Sequence, residues 1–120
     1  MLVYADERGR KVRMTLGRDT EWAAPEHWKA EVFSAVRGLA LSRKIDEGPA
    51  RRAVGRIPRL AIDHVSLDDL LPRMWELRDR VSGDDAAYVA LAEARNLTLV
   101  TADGRLARTA SAICRVECVR

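Results

Sequence analysis

Several features that identify common classes of protein are scarce or missing in these 120 residues. Only two cysteines are present, and Cys114 and Cys118 have no histidine partners for a zinc site, so we expect a reduced pair on one face of the strand ICRVECV. No apolar run approaches the roughly 20 residues that cross a membrane. The start, MLVYADERGR, turns charged too early for a signal peptide. We therefore expect a cytoplasmic protein with no membrane partner.

Two familiar kinds of active site are also missing from the sequence. No serine–histidine or cysteine–histidine set is apparent, and His27 and His64 are isolated, which is typical of structural or surface residues. The glycines Gly38, Gly48 and Gly55 lack the spacing of a phosphate-binding loop. The sequence therefore gives no support to nucleophilic catalysis by a side chain or to nucleotide binding by such a loop.

The composition is that of an ordinary globular protein with one domain over residues 1–120. Hydrophobic residues make up 48% of the chain, and no repeat, low-complexity tract or linker interrupts it. The formal net charge is +3, and much of the basic excess is arginine, which forms bidentate contacts with phosphate. This charge permits a nucleic-acid partner without requiring one, because an arginine-rich surface also follows from a GC-rich genome.

Short strands alternate with longer helices along the chain. The patterns predict extended segments in TEWAAPEH, AIDHVSL, LTLVT and CRVECV, and helices in ERGRKVRMTLG, HWKAEVFSAVRGLALSRK, EGPARRAVGRIPRL, SLDDLLPRMWELRDRVSG, DDAAYVALAEARN and DGRLARTA. Pro25 is predicted in a first helical turn, and Ser66 as a helix cap. The alternation is typical of an α/β fold with a mainly parallel sheet, and such sheets bind ligands at the carboxyl ends of their strands.

Two carboxylates lie on helix faces that otherwise carry apolar side chains. Glu31 falls on the stripe that includes Trp28 and Val32. Asp85 lies one position further into its helix than Asp84, on the face shared with the core. A buried carboxylate is costly unless it is paired or binds a metal. Simpler explanations are open: Glu31 reaches water or an arginine from the stripe's edge, and the aspartates cap the helix and favour its dipole.

A third carboxylate follows a predicted strand. Taken alone, Asp103 is explained as the N-cap of DGRLARTA, and Thr101 beside it as a β-former. Together with Glu31 and Asp85, however, Asp103 suggests that two helix starts and one strand end converge at the mouth of a parallel sheet. Clustered carboxylates repel unless they are protonated or bridged by a cation. Mg²⁺ and Mn²⁺ accept oxygen ligands and activate water for phosphodiester hydrolysis, so we expect one of these ions here.

These motifs resemble the PIN-domain family, in particular the VapC-type toxins of bacterial toxin–antitoxin pairs. The resemblance covers nearly the whole chain and rests on the glutamate in PEHWKAEV, the D-A-A-Y helix start and the T-A-D after a strand. It implies a three-layer α/β fold in which four acidic residues bind Mg²⁺ or Mn²⁺ and hydrolyse RNA. Within it, Glu31 corresponds to the second acidic residue, Asp85 to the third and Asp103 to the fourth, accompanied by Thr101. Asp84 stands where family members often carry an aromatic residue.

One part of the family pattern is missing at the front. The family opens with a strand that ends in an aspartate, whereas MLVYADERGRKVR resembles the part after it, so we expect the first central strand and first acidic residue to be absent. Asp6 is the alternative first ligand, at a shorter distance from Glu31 than the family's spacing. Losing a central strand leaves unpaired backbone groups and a slot in the core. We hypothesise that translation starts further upstream, which sequencing the messenger's 5′ end tests.

The resemblance implies an endoribonuclease toxin that acts on RNA, binds a small antitoxin and forms a homodimer. Arg8, Arg10 and Arg105 are candidates to hold phosphates, although solvated surface charge is their default explanation. Trp75 and Leu77 are candidates for the dimer interface or for the core. Two alternatives stay open: a non-catalytic or degenerate PIN-like protein that binds RNA or another protein after losing the first metal ligand, and DNA cleavage by the same site.

Overall fold

The computed structural model describes residues 22–119, in which short strands alternate with helices. The strands are β1 (Ala23–Pro25), β2 (Asp63–Val65), β3 (Leu99–Thr101) and β4 (Val116–Cys118). The α-helices are α1 (Trp28–Leu41), α2 (Glu47–Arg56), α3 (Leu71–Glu76), α4 (Gly83–Arg95) and α5 (Gly104–Ala110), and a 3₁₀ turn (Ile57–Arg59) follows α2. The predicted α/β class is confirmed. The predicted helix ERGRKVRMTLG and the candidates Asp6, Arg8 and Arg10 lie outside the described residues.

The four strands form two parallel pairs. Strand β1 pairs with β2, with Ala23 opposite Asp63, and β3 pairs with β4, with Leu99 opposite Val116. Within residues 22–119, no further strand joins the two pairs into one sheet. The expected loss of a first central strand concerns residues 1–21 and stays a prediction. Parallel pairing of all four strands agrees with the helix-containing connections that parallel strands require.

Helix α4 is the central element of the packing. Its buried residues are small or aliphatic: Ala86, Ala87, Val89, Ala90, Leu91 and Ala92. Ala86, Val89 and Ala92 belong to one apolar cluster, and Ala90 and Leu91 belong to another. The helix contacts both β1 and β3, so it lies between the two strand pairs. The hydroxyl of Ser82 accepts a hydrogen bond from the Asp85 N–H at its start, and Asn96 ends it in the left-handed conformation. The Ser82 cap and the Asn96 terminus therefore set where α4 begins and ends, and so the position of its first turn.

Helix α1 packs through the apolar stripe that the sequence predicts. Trp28, Val32 and Val36 are buried in a cluster that also includes Ile57 after α2. The Trp28 Nε1–H donates a hydrogen bond of 3.1 Å to Nδ1 of His64, which ties the start of α1 to β2. This bond satisfies the polar edge of a fully buried indole. The start of α1 is therefore held in place from both its apolar and its polar side.

Two predicted boundaries are wrong. Pro25 is the buried last residue of β1 and not part of a first helical turn. The Glu26 N–H donates to the Val65 carbonyl at 2.8 Å, which extends the β1–β2 pairing beyond the proline and delays the helix. The helix predicted from Ser66 is shortened to α3, because the Ser66 hydroxyl accepts the Asp68 N–H at 3.2 Å and stabilises a turn instead.

The remaining apolar and cysteine residues divide between core and surface. Leu77 is fully buried, whereas Trp75 is 68% exposed and lies beneath the Arg78 guanidinium, 4.3 Å from the ring centre. Both cysteines are free thiols, Cys114 partly buried and Cys118 exposed. No helix in residues 22–119 is both long enough and apolar enough to span a bilayer.

Candidate metal centre

A cleft opens where α1, α4 and the carboxyl end of β3 meet. Its volume is about 100 Å³, and polar and apolar side chains share its wall. The side chains and backbone that line it belong to Glu31, Asp85, Tyr88, Leu99, Val100, Thr101, Ala102, Asp103 and Leu106. The four principal candidates of the sequence, three carboxylates and one threonine, are therefore brought to one cleft from three separate parts of the chain.

Asp85 faces this cleft from the first turn of α4. Burial raises the pKa of the Asp85 carboxyl, a hydrogen bond with Ser82 lowers it, and the negative charges of Asp103 and Asp84 raise it further. The net shift is upward, so the ionised form is disfavoured by both desolvation and like charge. A cation in the cleft relieves both effects.

Asp103 is fixed at the cleft by the backbone around it. Its Oδ1 accepts hydrogen bonds from the N–H groups of Arg105 at 2.9 Å and Leu106 at 3.3 Å. The Thr101 hydroxyl accepts a hydrogen bond of 3.0 Å from the Asp103 N–H. Asp103 is thus the N-cap of α5, as the simpler explanation has it, and it also lines the cleft. Arg105 is exposed in the first turn of α5, next to this mouth.

Glu31 is half-buried in the first turn of α1, and within residues 22–119 its side chain approaches a histidine and not an arginine. Its Oε1 lies 3.1 Å from Nε2 of His27, one helical turn earlier. The same nitrogen lies 3.8 Å from Oδ1 of Asp84. The interpretation of His27 as an isolated residue is therefore wrong. The signal that reveals the contact is the i, i+4 spacing between His27 and Glu31, which places the two side chains on one helix face.

Tyr88 is a second functional candidate that the sequence did not single out. Its ring meets His27 edge to face, with 5.7 Å between centroids and 66° between planes. Burial raises the pKa of the Tyr88 hydroxyl well above its usual range, and the neighbouring Glu31 carboxylate raises it further. The phenol therefore stays protonated and can donate a hydrogen bond at the cleft wall.

The buried polar atoms of this region lack hydrogen-bond partners among the described residues. They are both ring nitrogens of His27, Oε1 of Glu31 and the Tyr88 hydroxyl. His27, Glu31 and Asp84 place ligand atoms within 4.8 Å of one another, and in the described part of the chain Asp85 and Asp103 do not join that set. Asp84 makes no capping hydrogen bond, since Ser82 is the cap of α4. Unsatisfied nitrogen and oxygen lone pairs beside carboxylates fit a divalent cation.

Comparison with known proteins agrees with the fold. The family model described as PIN domain matches residues 1–112. The chain is 42% identical over 90 residues to ribonuclease VapC9 of Mycobacterium tuberculosis, covering 75% of this chain and 71% of that protein. It is 39% identical over 98 residues to ribonuclease VapC1 of the same species (81% and 74% covered), and 34% identical over 108 residues to ribonuclease VapC3 (90% and 78%). The chain belongs to the PIN-domain family, in its VapC-type group.

Proposed function

We propose that this protein is a metal-dependent endoribonuclease and the toxin of a two-gene toxin–antitoxin pair. Its relatives carry the name VapC ribonuclease, which supports RNA as the substrate. The observation that carries the proposal is the meeting of Glu31, Asp85, Asp103 and Thr101 in one cleft at the carboxyl end of β3. Parallel α/β folds bind substrates at this end of their strands.

The cleft residues divide the work of hydrolysis among them. Glu31, Asp85 and Asp103 hold Mg²⁺ or Mn²⁺, as oxygen ligands do for these ions. Such an ion would supply activation of water and neutralisation of the charge that develops on the phosphodiester. Thr101 keeps Asp103 in position through its hydroxyl. The protonated Tyr88 hydroxyl donates a hydrogen bond toward the cleft, where phosphate or Glu31 accepts it.

The RNA backbone and two proteins are the partners that this function implies. Arg105 at the mouth of the cleft is a candidate to bind phosphate, as are Arg8 and Arg10 outside the described residues. A cognate antitoxin covers the acidic cleft in the cytoplasm, and a homodimer uses exposed apolar side chains such as Trp75, which is 68% exposed. Target choice rests on the shape of this surface and on RNA structure.

A second candidate function has one observation in its favour. Asp85 and Asp103 stand outside the set of ligand atoms that lie within 4.8 Å of one another in residues 22–119. A cleft that does not gather its carboxylates around one ion suits a non-catalytic PIN-like protein that binds RNA or a partner. This protein binds RNA without cleaving it, and its affinity does not depend on divalent cations.

RNA cleavage by the whole chain separates the two functions. We expect cleavage with Mg²⁺ or Mn²⁺, loss of roughly two orders of magnitude or more in Asp85→Asn, and no cleavage in excess chelator, since the ion contributes several kcal/mol. The matched control is Asp79→Asn, because Asp79 is an exposed aspartate that does not line the cleft. Full activity in excess chelator overturns the metal mechanism, and RNA binding without cleavage supports the second function.

A further inference from the structure

A group of three potential ligands lies on the flank of the acidic cleft. His27 is the N-cap of α1, Glu31 is one turn further along the same helix, and Asp84 is in the first turn of α4. The His27 Nε2 lies 3.1 Å from Glu31 Oε1 and 3.8 Å from Asp84 Oδ1. One imidazole nitrogen and two carboxylate oxygens therefore converge from two helices on a space small enough for one ion.

The hydrogen bonding of this group is incomplete. The two His27 ring nitrogens and Glu31 Oε1 are buried, yet none has a hydrogen-bond partner in residues 22–119, although Nε2 and Oε1 approach to 3.1 Å. Their separation is within hydrogen-bond range, yet neither atom takes part in a hydrogen bond in this part of the chain. Buried polar atoms in native proteins are nearly always satisfied by protein, water or an ion. A cation that both atoms contact removes the deficit.

The ring of His27 is held in this orientation by its neighbour. Tyr88 meets it edge to face at 5.7 Å, which limits rotation of the imidazole away from Glu31. Tyr88 itself stays protonated and neutral, so it does not compete for the ion as an anionic ligand. The donor set is therefore one imidazole nitrogen and two carboxylates.

We propose that His27, Glu31 and Asp84 form a mixed nitrogen–oxygen site for a first-row transition-metal ion. Imidazole ligands favour ions of the later first row, whereas Mg²⁺ prefers oxygen ligands alone. The site shares Glu31 with the acidic cleft and differs from it in using His27 and Asp84 in place of Asp85 and Asp103. A role for this site in RNA cleavage rests on the proposed function. Metal binding by the site does not, since it needs no RNA.

Co²⁺ is the probe for this site, in whole protein without a histidine tag. Calorimetry measures the affinity for Co²⁺ and for Mg²⁺, and proton NMR of the Co²⁺-loaded chain detects a paramagnetically shifted, exchangeable imidazole N–H resonance. Only two histidines are present, so His64→Gln is the matched control for His27→Gln. Both cysteines remain in every variant, so any thiol contribution to Co²⁺ binding is common to all.

The wild-type chain is expected to show the shifted resonance. His27→Gln removes it and weakens Co²⁺ binding by about tenfold or more, and leaves Mg²⁺ binding nearly unchanged. His64→Gln keeps both the resonance and the affinity. Absence of the resonance in wild-type protein overturns the site and needs no variant to fold. An unchanged Co²⁺ affinity in a folded His27→Gln chain also overturns the site. In that case His27 only packs against Tyr88.

The two proposals fail in different ways. A chain that cleaves RNA with Mg²⁺ but shows no shifted resonance contradicts the His27 site and leaves the ribonuclease intact. A chain that binds Co²⁺ through His27 but cleaves no RNA with any divalent ion supports the site and contradicts the ribonuclease.

Discussion

The two ends of helix α4 differ in whether their carboxylates pair with arginine. Near its C-terminal end, Glu93 accepts a hydrogen bond of 2.8 Å from Nε of Arg73, and Arg95 contacts Asp63 at 2.9 Å. At its N-terminal end, Asp84 and Asp85 lie near Glu31. In the described residues, no arginine or lysine forms an ion pair with any of these three carboxylates. Within residues 22–119, arginine side chains therefore pair with carboxylates near the end of α4 and not with those at its start.

This difference separates carboxylates that serve the fold from those that serve a site. An exposed ion pair contributes little to stability, because the side-chain entropy lost in forming it offsets most of the attraction. A crowded set of carboxylates without basic partners destabilises the folded state, and such local conflicts are typical of functional positions. The start of α4 therefore has the character of a binding site, and the end of α4 that of ordinary surface.

The largest effect is expected at Asp103, which both caps α5 and lines the cleft. Asp103→Ser keeps a hydroxyl that can cap the helix and removes the carboxylate, so cleavage falls by roughly a hundredfold or more while thermal stability is nearly kept. Asp103→Ala loses the cap as well and costs about 1 kcal/mol of unfolding free energy. Paired cleavage and thermal-unfolding measurements check both changes. Equal activity in wild type and the folded serine variant contradicts a catalytic role for this carboxylate.

A smaller effect is expected from the charge of Asp85 in metal-free protein. Because the pKa of Asp85 is raised on folding, its stabilising contribution is fully present below the ordinary value of 3.8 and is lost as the pH rises through the folded-state pKa. At neutral pH the charged side chain therefore destabilises the fold, and Asp85→Asn raises the Tm. The difference in Tm between Asp85→Asn and wild type narrows as the pH is lowered toward 3.8, the ordinary pKa of the side chain. If Asp85→Asn melts below wild type at neutral pH, the charge at the start of α4 does not destabilise the fold, and the proposed difference between the two ends of α4 is contradicted.

The smallest effect is expected at the paired end. Arg73→Met removes the contacts with Glu93 and Glu76 and leaves RNA cleavage unchanged, because neither glutamate lines the cleft. The Tm falls only slightly, since these pairs are exposed to solvent. Its control is Arg51→Met, which removes the exposed pair with Glu47 on α2. A large loss of activity in Arg73→Met, with the fold intact, shows that the paired end takes part in function.

The fold follows from periodicities that the sequence displays over short distances. The stripe of α1 and the apolar surface of α4 are confirmed because their burial depends on spacing that repeats every turn. The boundaries at Pro25 and Ser66 are wrong because long-range pairing with Val65 and a local serine turn override the propensities of these residues. Residues 1–21 lie outside the described range, so the expected absence of a first strand and the candidate ligand Asp6 stay predictions.

The candidate site also contains residues that the sequence predicts and one that it does not. Glu31, Asp85 and Asp103 stand out in the sequence because each is a carboxylate beside an apolar segment, and the cleft brings them together. His27 does not stand out, because its proximity to Asp84 joins the starts of two helices that are far apart along the chain. Such contacts depend on how α1 and α4 pack, and no spacing within one helix encodes that packing.

Calorimetric titration of Mn²⁺ into the metal-free wild-type chain tests most directly whether the unpaired carboxylates form a cation site. We expect saturable binding that weakens by at least about tenfold in Glu31→Gln, since Glu31 belongs both to the cleft and to the His27 group. Binding that is absent from wild-type protein, or equally strong in a folded Glu31→Gln chain, contradicts the account.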